Sequence, residues 1–176
     1  MRKLVADGVD QSHLAGLDLV SDFKALGSQL FRDEETFNYD FYVRDILDDT
    51  ADWAPLEKQF DILHITSFLH IWNREKQLQA AQRLATFAKP KPGTLIIGGG
   101  LGSTVAGEWP DLERTGTNFR QSEESIVEFW DEVGSLTGTK WHVESNYFQP
   151  PRMKTLKAEK WADPNMGILT FAVKML

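Results

Sequence analysis

Apolar and polar positions follow two rhythms along this chain, and the switches between them mark out its elements. Strand-like runs fall at 14–19, 39–43, 60–66 and 94–97, and again at 141–148 and 168–173. Between them the apolar spacing changes to three and four residues, the period of an amphipathic helix. Phe23, Leu26, Leu30 and Phe31 form one such stripe. Leu78, Ala81, Leu84, Ala85 and Ala88 form a second, with Asn73 placed to cap a helix over 74–88. Ile126, Phe129, Trp130 and Val133 predict the inward face of a helix over 122–136 that starts from a Ser122 cap. Residues 1–7 read as the last turns of a helix stopped by Gly8. Strands alternating with helices predict a largely parallel α/β sheet, and the last two runs predict an antiparallel pair. The segment 98–118 is Gly-rich and aperiodic, which predicts a loop or lid over a pocket. Trp109 within it and Phe119 just after it then belong either to that pocket or to the core. Between the last two strands lies an excursion in which Lys154, Lys157 and Lys160 read as a solvated face.

Composition narrows the class. With 176 residues, 41% hydrophobic and 26% charged, the chain suits one globular domain with a real core. A net charge of −7 argues against nucleic-acid binding, which calls for a basic face. There is no cysteine, hence no disulfide framework, and the four histidines have no tight metal-ligand spacing, so no metal site is expected. No apolar run reaches about 18 residues, so no membrane span is expected. The apolar part of the N-terminus is too short for a signal peptide, which makes the cytosol the expected compartment.

The candidate chemistry lies in acids at strand ends. An open α/β sheet binds ligands at the carboxyl ends of its strands. Asp18 closes the run Gly16-Leu17-Asp18-Leu19, and Asp45 follows Phe41-Tyr42-Val43-Arg44. Acids so placed can accept hydrogen bonds from ribose hydroxyls and an adenine amino group. Asp61 opens its strand instead of closing it and reads as structural. His70, in Phe68-Leu69-His70-Ile71-Trp72, is either a pocket-wall residue or a general base. The run Gly98-Gly99-Gly100-Leu101-Gly102-Ser103 is no dinucleotide fingerprint: no amphipathic helix follows it, and no acid-ended strand comes about 20 residues later. No serine sits in a nucleophile-elbow context.

Taken together, these motifs resemble the class I S-adenosylmethionine (SAM)-dependent methyltransferases, particularly those of fungal secondary-metabolite pathways such as meroterpenoid clusters. The resemblance is carried by Gly16-Leu17-Asp18-Leu19, by Arg44-Asp45-Ile46, and by Phe60-Asp61-Ile62-Leu63-His64 with Ser67-Phe68-Leu69-His70. Lys91-Pro92-Gly93-Thr94-Leu95-Ile96-Ile97-Gly98, Glu123-Glu124-Ser125 with Trp130, and Gly138-Thr139-Lys140-Trp141 add to it. It implies a Rossmann-like sheet, mostly parallel with a C-terminal antiparallel strand pair, in one domain spanning 1–176. It implies SAM as cofactor, with Asp18 on the ribose hydroxyls and Leu19 against the adenine. Asp45 would accept from the adenine amino group, Ile46 would pack on the ring, and His64 would lie near the methionine part. The implied acceptor is a small apolar metabolite, with His70 as base if the acceptor is a hydroxyl. In the family a first strand and its Gly-rich loop precede the helix whose tail is read at 1–7. This sequence does not supply them, so an N-terminally truncated domain lacking the usual first strand is expected. Three readings follow: a methyltransferase or its C-terminal portion, a methyltransferase-derived cyclase or isomerase, and a non-catalytic subunit. The expected partners are an apolar metabolite and either a second copy or a completing chain, with no nucleic acid or membrane.

Overall fold

Gly8, at φ 98°, adopts the left-handed conformation that ends the first helix, α1 (Arg2–Ala6), where the sequence placed a stop. The computed structural model describes residues 1–110, 116–151, 153 and 163–176, and the chain divides into two units, Met1–Ala51 and Asp52–Leu176. In the first unit, β1 (Ala15–Asp18) pairs in parallel with β2 (Asp40–Val43), and α2 (Asp22–Phe31) connects them. The register sets Asp18 beside Val43, so both strands finish at the same level. Arg2 organises this unit. Its guanidinium lies over the rings of Phe31 and Phe37, at 4.4 and 4.6 Å from their centres, and pairs with Asp33 at 2.5 Å.

The stripe on α2 is present but unburied. Phe23, Leu26, Leu30 and Phe31 are each more than half exposed, Leu30 at 77%. Phe37 and Ile46 are the unit's fully buried apolar side chains. Helical periodicity therefore identified the helix correctly without identifying what the stripe packs on.

In the second unit four strands form one sheet in the order β3 (Ile62–Thr66), β4 (Leu95–Ser103), β8 (Met166–Met175), β7 (Trp141–Phe148). β3 and β4 are parallel, while β8 runs antiparallel between β4 and β7, so the sheet is mixed. A small antiparallel hairpin, β5 (Gly107–Pro110) with β6 (Thr117–Arg120), stands apart from it. α3 (Arg74–Phe87) begins where the Asn73 side chain accepts from the Lys76 N–H at 3.0 Å. α4 (Glu123–Thr137) begins with a reciprocal cap between Ser122 and Ser125 and ends at Gly138, at φ 70°. Ile126, Phe129, Trp130 and Val133 are fully buried, as their spacing predicted. Trp130 meets Trp141 of β7 edge-on at 5.6 Å, which lays α4 on the sheet face that also carries Leu63, Ile65, Ile96 and Val173.

The expected loop or lid at 98–118 is corrected by the structure. Residues 98–103 continue β4, bonded to β8 throughout and to β3 at Gly98 and Gly99. Residues 107–110 and 117–120 make the hairpin, and 111–115 fall outside the described residues, as do Lys154, Lys157 and Lys160. The glycines are there because neighbours crowd the strand. A Cβ on Gly98 would lie 2.8 Å from Ile65 and from the Phe171 ring; one on Gly102 would lie 2.6 Å from Leu169 Cβ and 2.9 Å from the Gln121 carbonyl. Glycine composition imitates a loop when its cause is close approach. Gly102→Ala is therefore expected to cost about 1–3 kcal/mol through overpacking. A lowered urea midpoint would show it, and an unchanged midpoint would mean that the strand yields freely.

Candidate functional site

In the first unit the two acids meet. Asp18 ends β1, and Asp45 stands two residues beyond the end of β2, the neighbouring in-register strand. Each is fixed by its own turn. Asp18 Oδ1 accepts from the Val20 N–H and Asp45 Oδ1 from the Leu47 N–H, both at 2.9 Å. The Arg44 N–H donates to the Asp18 carbonyl at 3.0 Å, tying the two strand ends together. In each acid, Oδ2 accepts no hydrogen bond among the described residues. The result is two carboxylates at one end of a parallel strand pair, each with one oxygen held in a turn and the other open. Two such acceptors suit a ligand with two hydrogen-bond donors, such as a ribose hydroxyl and an amino group. Leu19, beside Asp18, is 66% exposed, whereas Ile46, beside Asp45, is buried.

The two predicted histidines belong to the second unit and lie on opposite faces of its sheet. β3 alternates, so Leu63 and Ile65 are buried and His64 is exposed, its Nε2 at 2.8 Å from Thr66 Oγ1. After β3 the chain turns at Ser67, at φ 57°, whose N–H donates to the Gly99 carbonyl at 2.6 Å. A 3-10 turn over Leu69–Ile71 then carries His70 back onto the covered face. There the imidazole lies directly on Gly100, where any Cβ would collide with Nδ1. His70 lines a cavity of about 20 Å³ with Ile65, Leu69, Leu101, Phe119 and Leu169. That volume admits one water, at least ~10–15 Å³ being needed. His70 Nδ1 is buried and has no hydrogen-bond partner among the described residues.

Burial lowers the His70 pKa below its ordinary 6.5, and the positive Arg120 lowers it further. The ring is thus neutral at physiological pH. Because the unfolded chain binds the proton more readily, stability should fall as pH drops from about 7 through the folded-state pKa and level off below it. His70→Asn should flatten that dependence. A urea midpoint series across this window checks it, and an unchanged slope in the variant would assign the effect elsewhere.

Sequence reasoning missed the polar supports of this pocket. Arg120 and Asp163 are each 1% exposed and stand 3.8 Å apart, within ion-pair range but beyond a hydrogen bond. The Arg120 guanidinium also faces the Trp109 ring at 5.4 Å. The Gln77 side chain donates to the Trp72 and Phe119 carbonyls, at 3.0 and 2.7 Å, and accepts from Gln121 at 3.1 Å. Ser125 closes the chain by donating to Gln121 at 2.6 Å. Gln77 with Phe119 and Gln121, and Arg120 with Asp163, join residues tens of positions apart, and no local motif announces them. Asp61, read as structural, does pair with Lys89 and Lys91, which hold its pKa down to about 2.

No protein-family model matches the chain. Individual proteins do. O-methyltransferase atr3 of Stereocaulon alpinum is 37% identical over 147 residues, covering 82% of this chain and 42% of that protein. O-methyltransferase phiE of a fungal species is 32% identical over 144 residues, covering 81% of this chain and 48% of that protein. The solved 1,6-didemethyltoxoflavin-N1-methyltransferase of Burkholderia thailandensis, bound to 1,6-didemethyltoxoflavin and S-adenosylhomocysteine (SAH), superposes with a TM-score of 0.62. That match covers 93% of this chain and 61% of the other at 12% identity, and so speaks for the fold. The chain is related to these fungal O-methyltransferases, and its fold is like that of the solved methyltransferase. It spans about half the length of the curated relatives it matches. In this methyltransferase relative the α/β architecture expected from sequence is present, with its sheet mixed. No described helix is long and apolar enough to cross a membrane.

Proposed function

We propose that this chain is a methyltransferase, or a portion of one, that binds SAM through Asp18 and Asp45 and serves methyl transfer to a small apolar metabolite. The observation that carries this is the pair of turn-fixed carboxylates at the ends of β1 and β2, each with an open oxygen. Their acceptor chemistry fits the donors of a nucleoside: ribose hydroxyls for Asp18 and the adenine amino group for Asp45. Leu19, exposed beside Asp18, offers an apolar contact to the adenine ring. Ile46, buried beside Asp45, is the proposed packing contact to the adenine ring, and His64 the proposed contact to the methionine part. Bound SAM supplies an electrophilic methyl on a positively charged sulfur. The second unit contributes a neutral imidazole in an apolar cavity. His70 is the proposed base for an acceptor hydroxyl, reached through the single water its small cavity admits, and its Nδ1 has no hydrogen-bond partner among the described residues. The cytosol is the proposed compartment.

Nucleoside selectivity tests the reading. Ligand-observed NMR should show SAH and adenosine binding, with 2′-deoxyadenosine weaker because it lacks a ribose donor. Equal binding of the deoxy compound would remove the ribose role from Asp18. Transfer of a labelled methyl group to an acceptor separates this function from that of a chain that rearranges a metabolite without methylating it.

A further inference from the structure

Three polar side chains beside the His70 cavity hold one another in a fixed orientation. The Gln77 amide uses both of its N–H groups, on the Trp72 and Phe119 carbonyls at 3.0 and 2.7 Å. Its oxygen can only accept, and it does so from Gln121 Nε2 at 3.1 Å. That settles the second amide too. Gln121 Oε1 points the other way and accepts from Ser125 Oγ at 2.6 Å. Ser125 Oγ itself accepts from the Ser122 N–H at 2.8 Å, which ties the chain of bonds to the cap of α4. Neither amide can flip without breaking these bonds. One N–H of Gln121 is left over, since Nε2 carries two and makes one bond among the described residues. Gln77 Oε1 likewise keeps a lone pair. Both glutamines line the cavity of about 20 Å³ with His70, whose buried Nδ1 has no hydrogen-bond partner among the described residues.

β4 brings these groups together. His70 lies on Gly100, and the Gln121 carbonyl faces Gly102 and accepts from the Ser103 N–H at 3.0 Å. Positions two apart on one face of a strand are roughly 6.7 Å apart, and two hydrogen bonds to one water span about 5–6 Å. We infer that Gln121 is a positioning residue that holds one water in this cavity. Its spare N–H donates to the water oxygen, and the water donates to His70 Nδ1 and Gln77 Oε1. Three partners are what a buried water typically has. The arrangement keeps the His70 proton on Nε2 and leaves Nδ1 as an acceptor. With the proposed base role of His70, on which this step rests, it also sets the acceptor class: a hydroxyl. The hydroxyl proton passes to the second lone pair of the water as a water proton passes to Nδ1. The hydroxyl oxygen takes the methyl with its own electron pair, and the sulfur keeps the pair of the broken C–S bond. A carboxylate has no proton to give this water.

Nitrogen-15 NMR of the histidine-labelled chain tests the inference, with neither SAM nor acceptor present, so that the result does not depend on methyl transfer. The wild type should show a neutral His70 with its proton on Nε2 and an Nδ1 signal upfield of an acceptor that lacks a bond. Gln121→Met removes the N–H and keeps the bulk, and the Nδ1 signal should move downfield. Ser125→Ala frees the Gln121 amide to turn and should move the signal the same way by less, which keeps a readout should Gln121→Met fail to fold. A proton on Nδ1 in the wild type, or an Nδ1 signal that stays in place in the variants that fold, would overturn the inference. Failure of the base reading looks different: undiminished methyl transfer in His70→Asn would remove the base role and the acceptor class, and leave the water where it is.

Discussion

Asp163→Ala is expected to remove about 3–5 kcal/mol of stability from the 52–176 unit, the range for a buried ion pair that loses one partner. Asp163 and Arg120 are both almost wholly buried, and the guanidinium keeps its charge at a site where burial lowers its pKa while Asp163 raises it. Without the carboxylate, that charge stays buried and uncompensated by its acid. Asp163 also accepts from the Asn165 N–H at 2.7 Å, just ahead of β8, so the turn into the central strand loses an anchor at the same time. A small domain has only about 5–15 kcal/mol in total. Urea unfolding should therefore show a large fall in midpoint. Replacing both residues, Arg120→Met with Asp163→Leu, should recover much of it, since an apolar pair has no charge to desolvate. A single-variant loss below about 1 kcal/mol would show that water reaches the pair.

The second large effect falls on ligand binding. Asp18→Ala removes a carboxylate acceptor from the proposed ribose contact. A hydrogen bond to a charged group contributes roughly 1.5–3 kcal/mol, so SAH affinity should drop by about 10- to 150-fold. Asp45→Ala should act in the same direction through the adenine amino group. Each substitution also loses an Asx turn, and Asp10→Ala controls for that. Asp10 Oδ1 accepts from the Ser12 N–H at 2.9 Å in the same kind of turn, but away from the two strand ends.

What the sequence made legible follows from how local each signal is. The caps at Asn73 and Ser122 and the stop at Gly8 act over three or four residues, and all three stand where they were read. Strand-end acids are equally local, so Asp18 and Asp45 could be picked out before any pairing was known. The α2 stripe shows the limit: periodicity names a helix but not its cover. The glycines of β4 show another, because their cause is Ile65, Phe171, Leu169 and His70 arriving from elsewhere in the chain. His70 was legible as a residue type, but its desolvation depends on Gly100 and Arg120, 30 and 50 positions away. Arg120 and Asp163 carry no local pattern at all.

The most direct test of the central claim is calorimetric titration of SAH into the wild-type chain, Asp18→Ala and Asp10→Ala. The account predicts measurable binding to the wild type, a loss of at least tenfold in Asp18→Ala, and wild-type affinity in Asp10→Ala. Absence of binding to the wild type at millimolar SAH, or equal affinity in all three proteins, would contradict it.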